Sequence, residues 1–342
     1  MKFLITGGCG FLGCNITRKI FDLDGSEISI IDNLSRQGSK ENLNWLRKFG
    51  DFDLFKEDVT NYSKIEEIIL DKKPDVILHL AGQVAMTTSL QNPMRDFDIN
   101  ARSTINILEV LRIKLPDTKF LYSSTNKVYG DLEHLVYEET DTRYVLPDFP
   151  LGISESMRLE MSSPYGCSKG SADQYILDYS RCFNLKTIVF RHSSIFGSRQ
   201  FSTYDQGWIG WFMKKAFESK NNDKNLVFEI SGNGKQVRDI LFSDDLVDLY
   251  LKAILSDTSK EAFNIGGGPR NSLSLIELFE FISKELDIDY EIKSGDWRTS
   301  DQKVFISDNS KVMNHLKWKP KTDLANGLNE MMEWISEHPT AR

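Results

Sequence analysis

Little in this sequence suggests a secreted, membrane-bound or metal-built protein. Only four cysteines occur, Cys9, Cys14, Cys167 and Cys182, and no two stand in a C-x-x-C pair. They make no disulfide framework, and a reducing, cytoplasmic compartment fits them. The five histidines, His79, His134, His192, His315 and His338, are scattered without ligand spacing, so no metal site is expected. No apolar run approaches the roughly 18 residues of a membrane span. The chain opens straight onto a strand-like stretch, Lys2 to Thr6, and no signal peptide is expected. Positive charge is also short: 42 basic residues stand against 50 acidic ones, a formal charge of -8. That disfavours a dominant nucleic-acid or membrane-surface role, although a few local arginines suffice for a small anion. Internal repeats, low-complexity tracts and linkers are absent too.

What is present is an ordered alternation of strands and helices. A chain of 342 residues is long for one core and short for three. Phe3-Leu4-Ile5 reads as a short strand, followed at once by Thr6-Gly7-Gly8-Cys9-Gly10-Phe11-Leu12-Gly13 and a helical stretch to about Asp24. Glycines at 7, 10 and 13 let the backbone turn tightly and let a pyrophosphate approach a helix N-terminus, where free N–H groups and the helix dipole favour negative charge. The second strand, Glu27 to Ile31, ends in Asp32, about 20 residues past the last glycine, where a carboxylate can accept bonds from a ribose hydroxyl. Strand, glycine turn, helix, strand and terminal acid, in that order, point to a dinucleotide site. A carboxylate there repels a 2'-phosphate, so NAD is favoured over NADP.

Further along, 42–49 reads as a short helix and 52–55 as a third strand running to Asp58-Val59, a candidate adenine contact. Residues 65–70 are helical. Val76-Ile77-Leu78-His79-Leu80 is almost wholly apolar, as for a parallel strand buried on both faces, and His79 within it reads as a core histidine. Ala81-Gly82-Gln83 would then let a cofactor approach. One long helix is expected over 93–115, with Asn100 reaching across to the next strand. That strand, 119–122, ends in Ser123-Ser124-Thr125, hydroxyls at the end of a central strand where such sheets bind ligands. Residues 131–163 show no clean period, and an excursion of that length is more often functional than idle.

Tyr165 and Lys169 stand four apart in Pro164-Tyr165-Gly166-Cys167-Ser168-Lys169. On a helix they share one face. The Lys169 ammonium would favour the phenolate of Tyr165, allowing it to take a proton from a sugar hydroxyl while hydride leaves the same carbon. Pro164 suits a first helical turn, and Ser162 or Ser163 could cap it. Taken alone, the pair could equally be a solvated Tyr and Lys on an outer helix. A sixth strand follows at 186–190 and leads into Arg191-His192-Ser193-Ser194. Beyond it the alternation loosens. Trp208, Trp211 and Phe212 fit a helix face directed at a core or a subunit interface. Gly232-Asn233-Gly234 is a turn. Gln236-Val237-Arg238-Asp239 leads into a strand and a helix ending near Leu255, and stretches near 263–265, 273–286 and 324–335 complete a small α/β lobe.

The fold class expected is therefore α/β: a Rossmann-type doubly wound parallel sheet with a smaller C-terminal α/β substrate lobe. The division expected is a dinucleotide-binding domain over 1–191 and a mainly substrate-binding lobe over 192–342, with a strand that could return to the first domain. The segments Thr6 to Gly13, Asp32-Asn33, Asp58, His79-Leu80-Ala81-Gly82, Ser123-Ser124-Thr125, Tyr165 with Lys169, and Arg238-Asp239 stand in the order found in the extended short-chain dehydrogenase/reductases. Along essentially its whole length the chain resembles that family, also called the NAD-dependent epimerase/dehydratases, in the branch that modifies nucleotide sugars. Within the branch, residues 82–89, 124–131, 163–170, 200–211 and 231–239 look like the subgroup acting on CDP-linked dideoxyhexoses at C2.

The resemblance implies a set of roles. Thr125, Tyr165 and Lys169 would be the catalytic triad. Gly7, Gly10, Phe11, Leu12, Gly13, Asp32, Asn33, Ser35, Arg36, Asp58, Val59, Leu80, Ala81, Gln83, Asn100, Ser123 and His192, with Tyr165 and Lys169, would hold NAD. Thr88, Asn126, Ser194, Arg199, Gln206, Gln236, Arg238, Arg298 and Asp301 would contact a CDP-hexose, the two arginines 238 and 298 gripping its diphosphate and Asp301 its ribose. The alternative for Arg238 is a surface ion pair with Asp239 or Asp244. The implied reaction is epimerisation through a transient keto sugar in a cytoplasmic homo-oligomer. A UDP-hexose 4-epimerase would use the same triad. A 4,6-dehydratase would need an acid/base pair where this chain has Asn126 and Lys127. A non-catalytic NAD-sensing protein would typically lose Tyr165 or Lys169, and both are here.

Overall fold

The computed structural model describes residues 1–222 and 225–338. Its centre is a seven-stranded parallel sheet. Five strands come from the first part of the chain: β1 (Lys2–Thr6), β2 (Glu27–Ile31), β3 (Asp53–Phe55), β4 (Val76–His79) and β5 (Lys119–Thr125). Two more, Thr187–His192 and Glu261–Ile265, complete the order (Glu261–Ile265)-(Thr187–His192)-β5-β4-β1-β2-β3. The order reverses between β1 and β4, and ligands of such sheets bind outside the strand ends at that point. Register brings the relevant ends level: Thr6 lies beside His79, and Thr125 beside His192.

Both sheet faces are covered, which is why these strands are so uniformly apolar. One face packs on Ile107, Leu108, Leu111, Ala172 and Ile176. The other packs on Ile16, Ile20 and, from far along the chain, Leu246, Leu249 and Tyr250 of the Ser243–Leu255 helix. Chain order and spatial order thus part company: a strand and a helix from beyond residue 192 belong to the first core. The remaining lobe has its own core, where Phe212, Phe228 and Phe279 pack together between the helices Trp208–Asn221, Leu275–Leu286 and Leu324–Glu337. The excursion over 131–163 contains only a pair of two-residue strands, Glu138–Glu139 and Tyr144–Val145, and packs Leu132, Leu146 and Ile153 against Val237, Val304 and Phe305.

Several elements differ from the sequence expectation. The second helix is Ser39–Leu46 rather than 42–49, and β5 continues through Thr125. An unforeseen helix spans Met86–Gln91. The single helix expected over 93–115 is three pieces: Pro93–Phe97, a π-helical turn Asp98–Arg102, and Ser103–Lys114. The wider turn inserts a residue into the hydrogen-bond ladder, a device that recurs at functional sites. Hydroxyls take up its carbonyls: Thr104 Oγ1 donates to Asn100 O at 2.7 Å, and Ser103 Oγ donates to Ile99 O. Apolar periodicity is nearly blind to one inserted residue, so sequence could not show it.

Candidate active site

The glycine turn is built by close backbone approach. Gly7 has φ of 70°, and a Cβ there would lie 2.8 Å from Ala81 N; a Cβ on Gly13 would lie 2.2 Å from Gly7 O. Gly10 caps the helix Phe11–Ile20 without any side-chain cap, and no acid lies in its first turn, so its leading N–H groups face the groove. From here a cavity of about 410 Å³ runs past Asp32 to Asn33, Ser35, Arg36, Asp58 and Val59 at one end and past Leu80, Ala81 and Gln83 to Ser123 at the other. Asp32 is buried and accepts from Cys9 N at 2.9 Å and Leu34 N at 2.8 Å; burial raises its pKa against those bonds. Asn33 Nδ2 donates to Asp58 Oδ2 at 2.7 Å.

The helix Pro164–Phe183 carries Tyr165 and Lys169. Ser163 caps it, its Oγ accepting from Gly166 N at 3.1 Å, and Pro164 takes the first turn. Both functional side chains are buried, which removes the reading of a solvated outer pair. Lys169 Nζ donates to Ser123 O and lies 4.3 Å from the Tyr122 ring centre. Burial pushes the Tyr165 phenol up to about 12, while its hydrogen bond with Thr125 draws it down and Asp96 raises it. Burial brings Lys169 down to about 7, opposed by Asp96 and Asp173. The expectation that Lys169 holds Tyr165 as a phenolate is therefore not met by this pair alone: desolvation dominates both groups. His192 joins the same junction, with Nδ1 3.1 Å from Ser123 Oγ and Nε2 3.3 Å from Tyr250 OH; burial holds it near 3, neutral. His79 is the core histidine expected, packed between Thr6 Oγ1 (2.7 Å) and Thr104 Oγ1 (3.1 Å).

Asn100 does not reach the next strand. The π turn aims it at the loop after β4 and at the Tyr165 helix: its Oδ1 accepts from Gln83 N at 2.9 Å, and its Nδ2 donates to Gln83 O and Ser168 Oγ, each at 3.0 Å. Buried Asp96 accepts from Ser168 Oγ and, at 2.9 Å, from Gln83 Nε2. On the other side Arg191 grips Asp173 with two bonds of 2.9 Å, and Ser124 Oγ donates to the same carboxylate at 2.9 Å. These contacts lock the Pro164–Phe183 helix to the sheet.

A second cavity, about 380 Å³, opens on the far side of Ser123 and is lined by Thr125, Tyr165 and Lys169 at one end and Arg238, Arg298 and Asp301 at the other. The two cavities share Phe11, Leu12, Leu80, Val84, Ser123, Gln200 and Gln206. Arg238 Nη2 meets Asp301 Oδ1 at 2.6 Å, and its Nη1 donates to Val237 O and Gln302 O. The alternative partners, Asp239 and Asp244, are thereby set aside. Asp239 is wholly buried and accepts from Gly268 N and Ser307 N, each at 3.0 Å. Burial works against the Asp301 carboxylate, but Arg238, Lys127 and Arg298 hold it below the ordinary range. Arg298 Nε donates to Ser231 Oγ at 3.3 Å and its guanidinium lies 5.1 Å from the Tyr204 ring centre.

The chain as a whole has counterparts among known proteins. The family model described as GDP-mannose 4,6-dehydratase matches residues 4–331. The chain belongs to that family. It is 51% identical to the CDP-paratose 2-epimerase of Salmonella typhi, over 98% of this chain and 99% of that one. In structure it is similar to the UDP-glucose 4-epimerase of Thermotoga maritima solved with UDP-glucose, at 28% identity and a TM-score of 0.84, covering 98% of this chain and 99% of that one. It is also similar to the dTDP-glucose 4,6-dehydratase of Bacillus anthracis solved with NAD, at 25% identity and a TM-score of 0.82, covering 100% and 98%.

Within this family member, most of the expected site residues fall on one of the two cavities. Asn126, Ser194, Gln206, Gln236, Arg238, Arg298 and Asp301 line the second, Gln206 bordering both. Thr88 and Arg199, expected at the substrate, line the first instead. Arg199 lies between the rings of Trp45 and Trp334, at 4.9 and 5.8 Å, because Asn15 and Asn42 tie the carbonyls of Ser198 and Arg199 to the first domain. The aromatic helix serves both roles: Trp208, Trp211 and Phe212 all line the second cavity, Phe212 also belongs to the lobe's core with the two tryptophans packed against it, and Trp208 Nε1 donates to Ser194 Oγ at 3.2 Å. Sequence reasoning missed two residues. Gln200 is buried where the cavities meet, with Nε2 on Ile195 O and no partner for Oε1. Lys127 is a cation in the second cavity. The signal for Lys127 was available: a lysine two places after the threonine that ends a central strand.

Proposed function

We infer that this protein epimerises a CDP-linked dideoxyhexose at C2, interconverting CDP-paratose and CDP-tyvelose with NAD as a retained cofactor. The observation that carries the reading is the placing of Tyr165 and Thr125 in the second cavity beside Ser123, where it meets the first; the first suits a dinucleotide and the second a nucleotide sugar. The full-length likeness to CDP-paratose 2-epimerase supports the choice of sugar.

NAD fits the first cavity by a structural criterion: Gly7 and Gly13 let the backbone of the turn pack too closely for any Cβ, and this turn leads into an uncapped helix N-terminus that lines the cavity. The glycine turn would hold its pyrophosphate, Asp32 a ribose, Asp58 and Val59 the adenine, and Lys169, Ser123 and His192 the nicotinamide end. When bound, NAD supplies a hydride acceptor that can give the hydride back. The protein's own groups handle the proton. Tyr165 takes it from the sugar hydroxyl as the C–H bond breaks, and returns it when the keto sugar presents its other face. Thr125 hydrogen-bonds the reacting oxygen. Lys169 brings positive charge to the phenol's side of the cavity, where it would oppose the burial that raises Tyr165 to about 12. Arg238 and Arg298 bind the diphosphate, for which a planar guanidinium fork is apt. Asn126 and Lys127 supply no carboxylate for eliminating water, which disfavours dehydration.

Two finer points belong to the same reading. The protein works in the cytoplasm, where its nucleotide substrates are. It assembles as a homo-oligomer; Phe97, Tyr175 and Phe183, exposed on the mutually packed 93–114 run and Pro164–Phe183 helix, support this. Sedimentation velocity tests the assembly. Denaturing the purified protein and assaying released nucleotide tests the cofactor: NAD is expected, and mainly NADP, or none after saturation, overturns it. Incubation with CDP-paratose and with UDP-glucose, followed by NMR for the epimer, tests the substrate. Epimer from CDP-paratose alone is expected, and product only from UDP-glucose would assign a 4-epimerase instead.

A further inference from the structure

The loop between the strands Tyr290–Gly295 and Val304–Phe305 carries Arg298 and Asp301. It turns tightly, Asp301 N donating to Arg298 O at 3.2 Å with Ser300 at φ of 60°. Many of its remaining polar contacts go to the first domain. Ser300 Oγ donates to Ser162 O. Gln302, wholly buried, donates through Nε2 to Gly130 O at 2.6 Å and accepts at Oε1 from Asn126 Nδ2 at 3.1 Å. Lys127 Nζ donates to Ser300 O at 3.1 Å and lies 3.5 Å from Asp301 Oδ1. At their other side, Asn126 and Lys127 touch the triad: Lys127 N donates to Thr125 Oγ1 at 3.2 Å, and Thr125 Oγ1 donates to Asn126 Oδ1 at 3.3 Å. One dipeptide thus holds the reacting end through Thr125 and the nucleotide end through its two side chains.

We propose that Asn126 and Lys127 are positioning residues that fix the spacing between Thr125 and the Arg298–Asp301 loop, and so decide which sugar carbon meets the nicotinamide. A nucleotide sugar anchored by its diphosphate is a lever of set length, and a shift of the anchor moves the reacting carbon. Lys127 serves this better than it would serve a phosphate. Its ammonium is already directed at Asp301 and a backbone carbonyl, and burial lowers it to about 8, with Asp301 the neighbour that raises it most. Arg238 is committed to the same Asp301 oxygen, so the carboxylate joins two cations into one rigid group. The proposal rests on the nucleotide-sugar reading above.

The test uses the full-length protein and the variants Lys127→Met, Asn126→Ala and Lys127→Arg. Hydrogen exchange over residues 296–302, without substrate, should quicken in Lys127→Met and Asn126→Ala, and Lys127→Arg should restore part of the protection. Affinity for CDP should fall only a few-fold, since both arginines remain. Turnover should fall further, by roughly ten- to a hundredfold, the loss expected for one hydrogen bond to a charged group. Reduced cofactor should also accumulate during turnover, because a keto sugar out of register recovers its hydride slowly. Unchanged exchange, or a loss of CDP affinity as large as the loss of turnover, would overturn the proposal; the latter would make Lys127 a simple diphosphate cation. Should the wild-type protein turn over neither CDP-paratose nor UDP-glucose, the functional reading fails, while the exchange and CDP measurements still decide the clamp.

Discussion

The two cavities that meet at Ser123 are made by different means. The first is made by backbone: a glycine turn that leaves no room for a Cβ, a bare helix N-terminus, and one buried acid at a strand end. Its parts lie close together in the chain and in a set order. The second is made by charged side chains from three distant segments, Lys127, Arg238, and the pair Arg298 and Asp301. A backbone site depends on conformations that few residues can adopt. A side-chain site depends on which loops the fold brings together.

The difference can be broken by substitution. The largest effect is expected at the Tyr165 end of the second cavity, beside the Ser123 junction. Tyr165→Phe should lower turnover by about 10²–10⁴-fold while titrations with CDP and NAD stay near normal, because it deletes the proton carrier and keeps the ring. Near-native turnover would mean another group moves the proton. Next comes Gly13→Ala. Its methyl would lie 2.2 Å from Gly7 O and 2.6 Å from Gly8 Cα, backbone that cannot yield as a side-chain tip can. NAD binding should fail and stability drop by about 1–3 kcal/mol, with CDP binding retained in the fraction that folds. Equal loss of both ligands would show the cavities to be one unit.

Arg298→Ala is the complementary experiment. CDP affinity should fall by about 1.5–3 kcal/mol, as for a charge-assisted contact, with NAD binding unchanged. Arg238→Ala should cost at least as much, since it also strips Asp301 of its 2.6 Å partner. No loss for CDP in either would place the diphosphate elsewhere.

The last test separates the regions by pH. His79 and His192 belong to the sheet domain, and burial holds both near 3 against an ordinary 6.5. Below about 6.5 the unfolded chain binds protons that the folded one refuses. Stability should therefore fall by about 1.4 kcal/mol per pH unit for each histidine as pH drops toward 3. Asp301 is shifted the other way, below the carboxylate value of 3.8, so its contribution holds until the pH passes beneath that value. Thermal melts between pH 7 and 4 should fall steadily, with the loss halved in His79→Gln. A flat profile would mean the histidines are not kept neutral.

Legibility followed the same division. The glycine turn, Asp32, Ser163 as cap and the Tyr165–Lys169 helix stand where their local patterns placed them, because each needs only its own few residues. The π turn at Asn100 was invisible, since one inserted residue barely disturbs apolar spacing. Arg199 and Thr88 were assigned to the wrong cavity, since a residue's neighbours in sequence do not say across which groove its loop is tied. Trp208, Trp211 and Phe212 showed the aromatic face of a helix but not that it lines a cavity as well as a core.

By itself, then, the sequence determined the succession of strands and helices in the first domain, the glycine turn and the Tyr165–Lys169 helix face, because backbone conformation, helix periodicity and capping are set by residues adjacent in the chain. Tertiary structure alone decided the burial that pushes Tyr165 and Lys169 from their ordinary pKa values and the pairing of Arg238 and Lys127 on Asp301. Each of those depends on desolvation or on charges meeting across hundreds of ångströms of chain contour, and neither has any local signature.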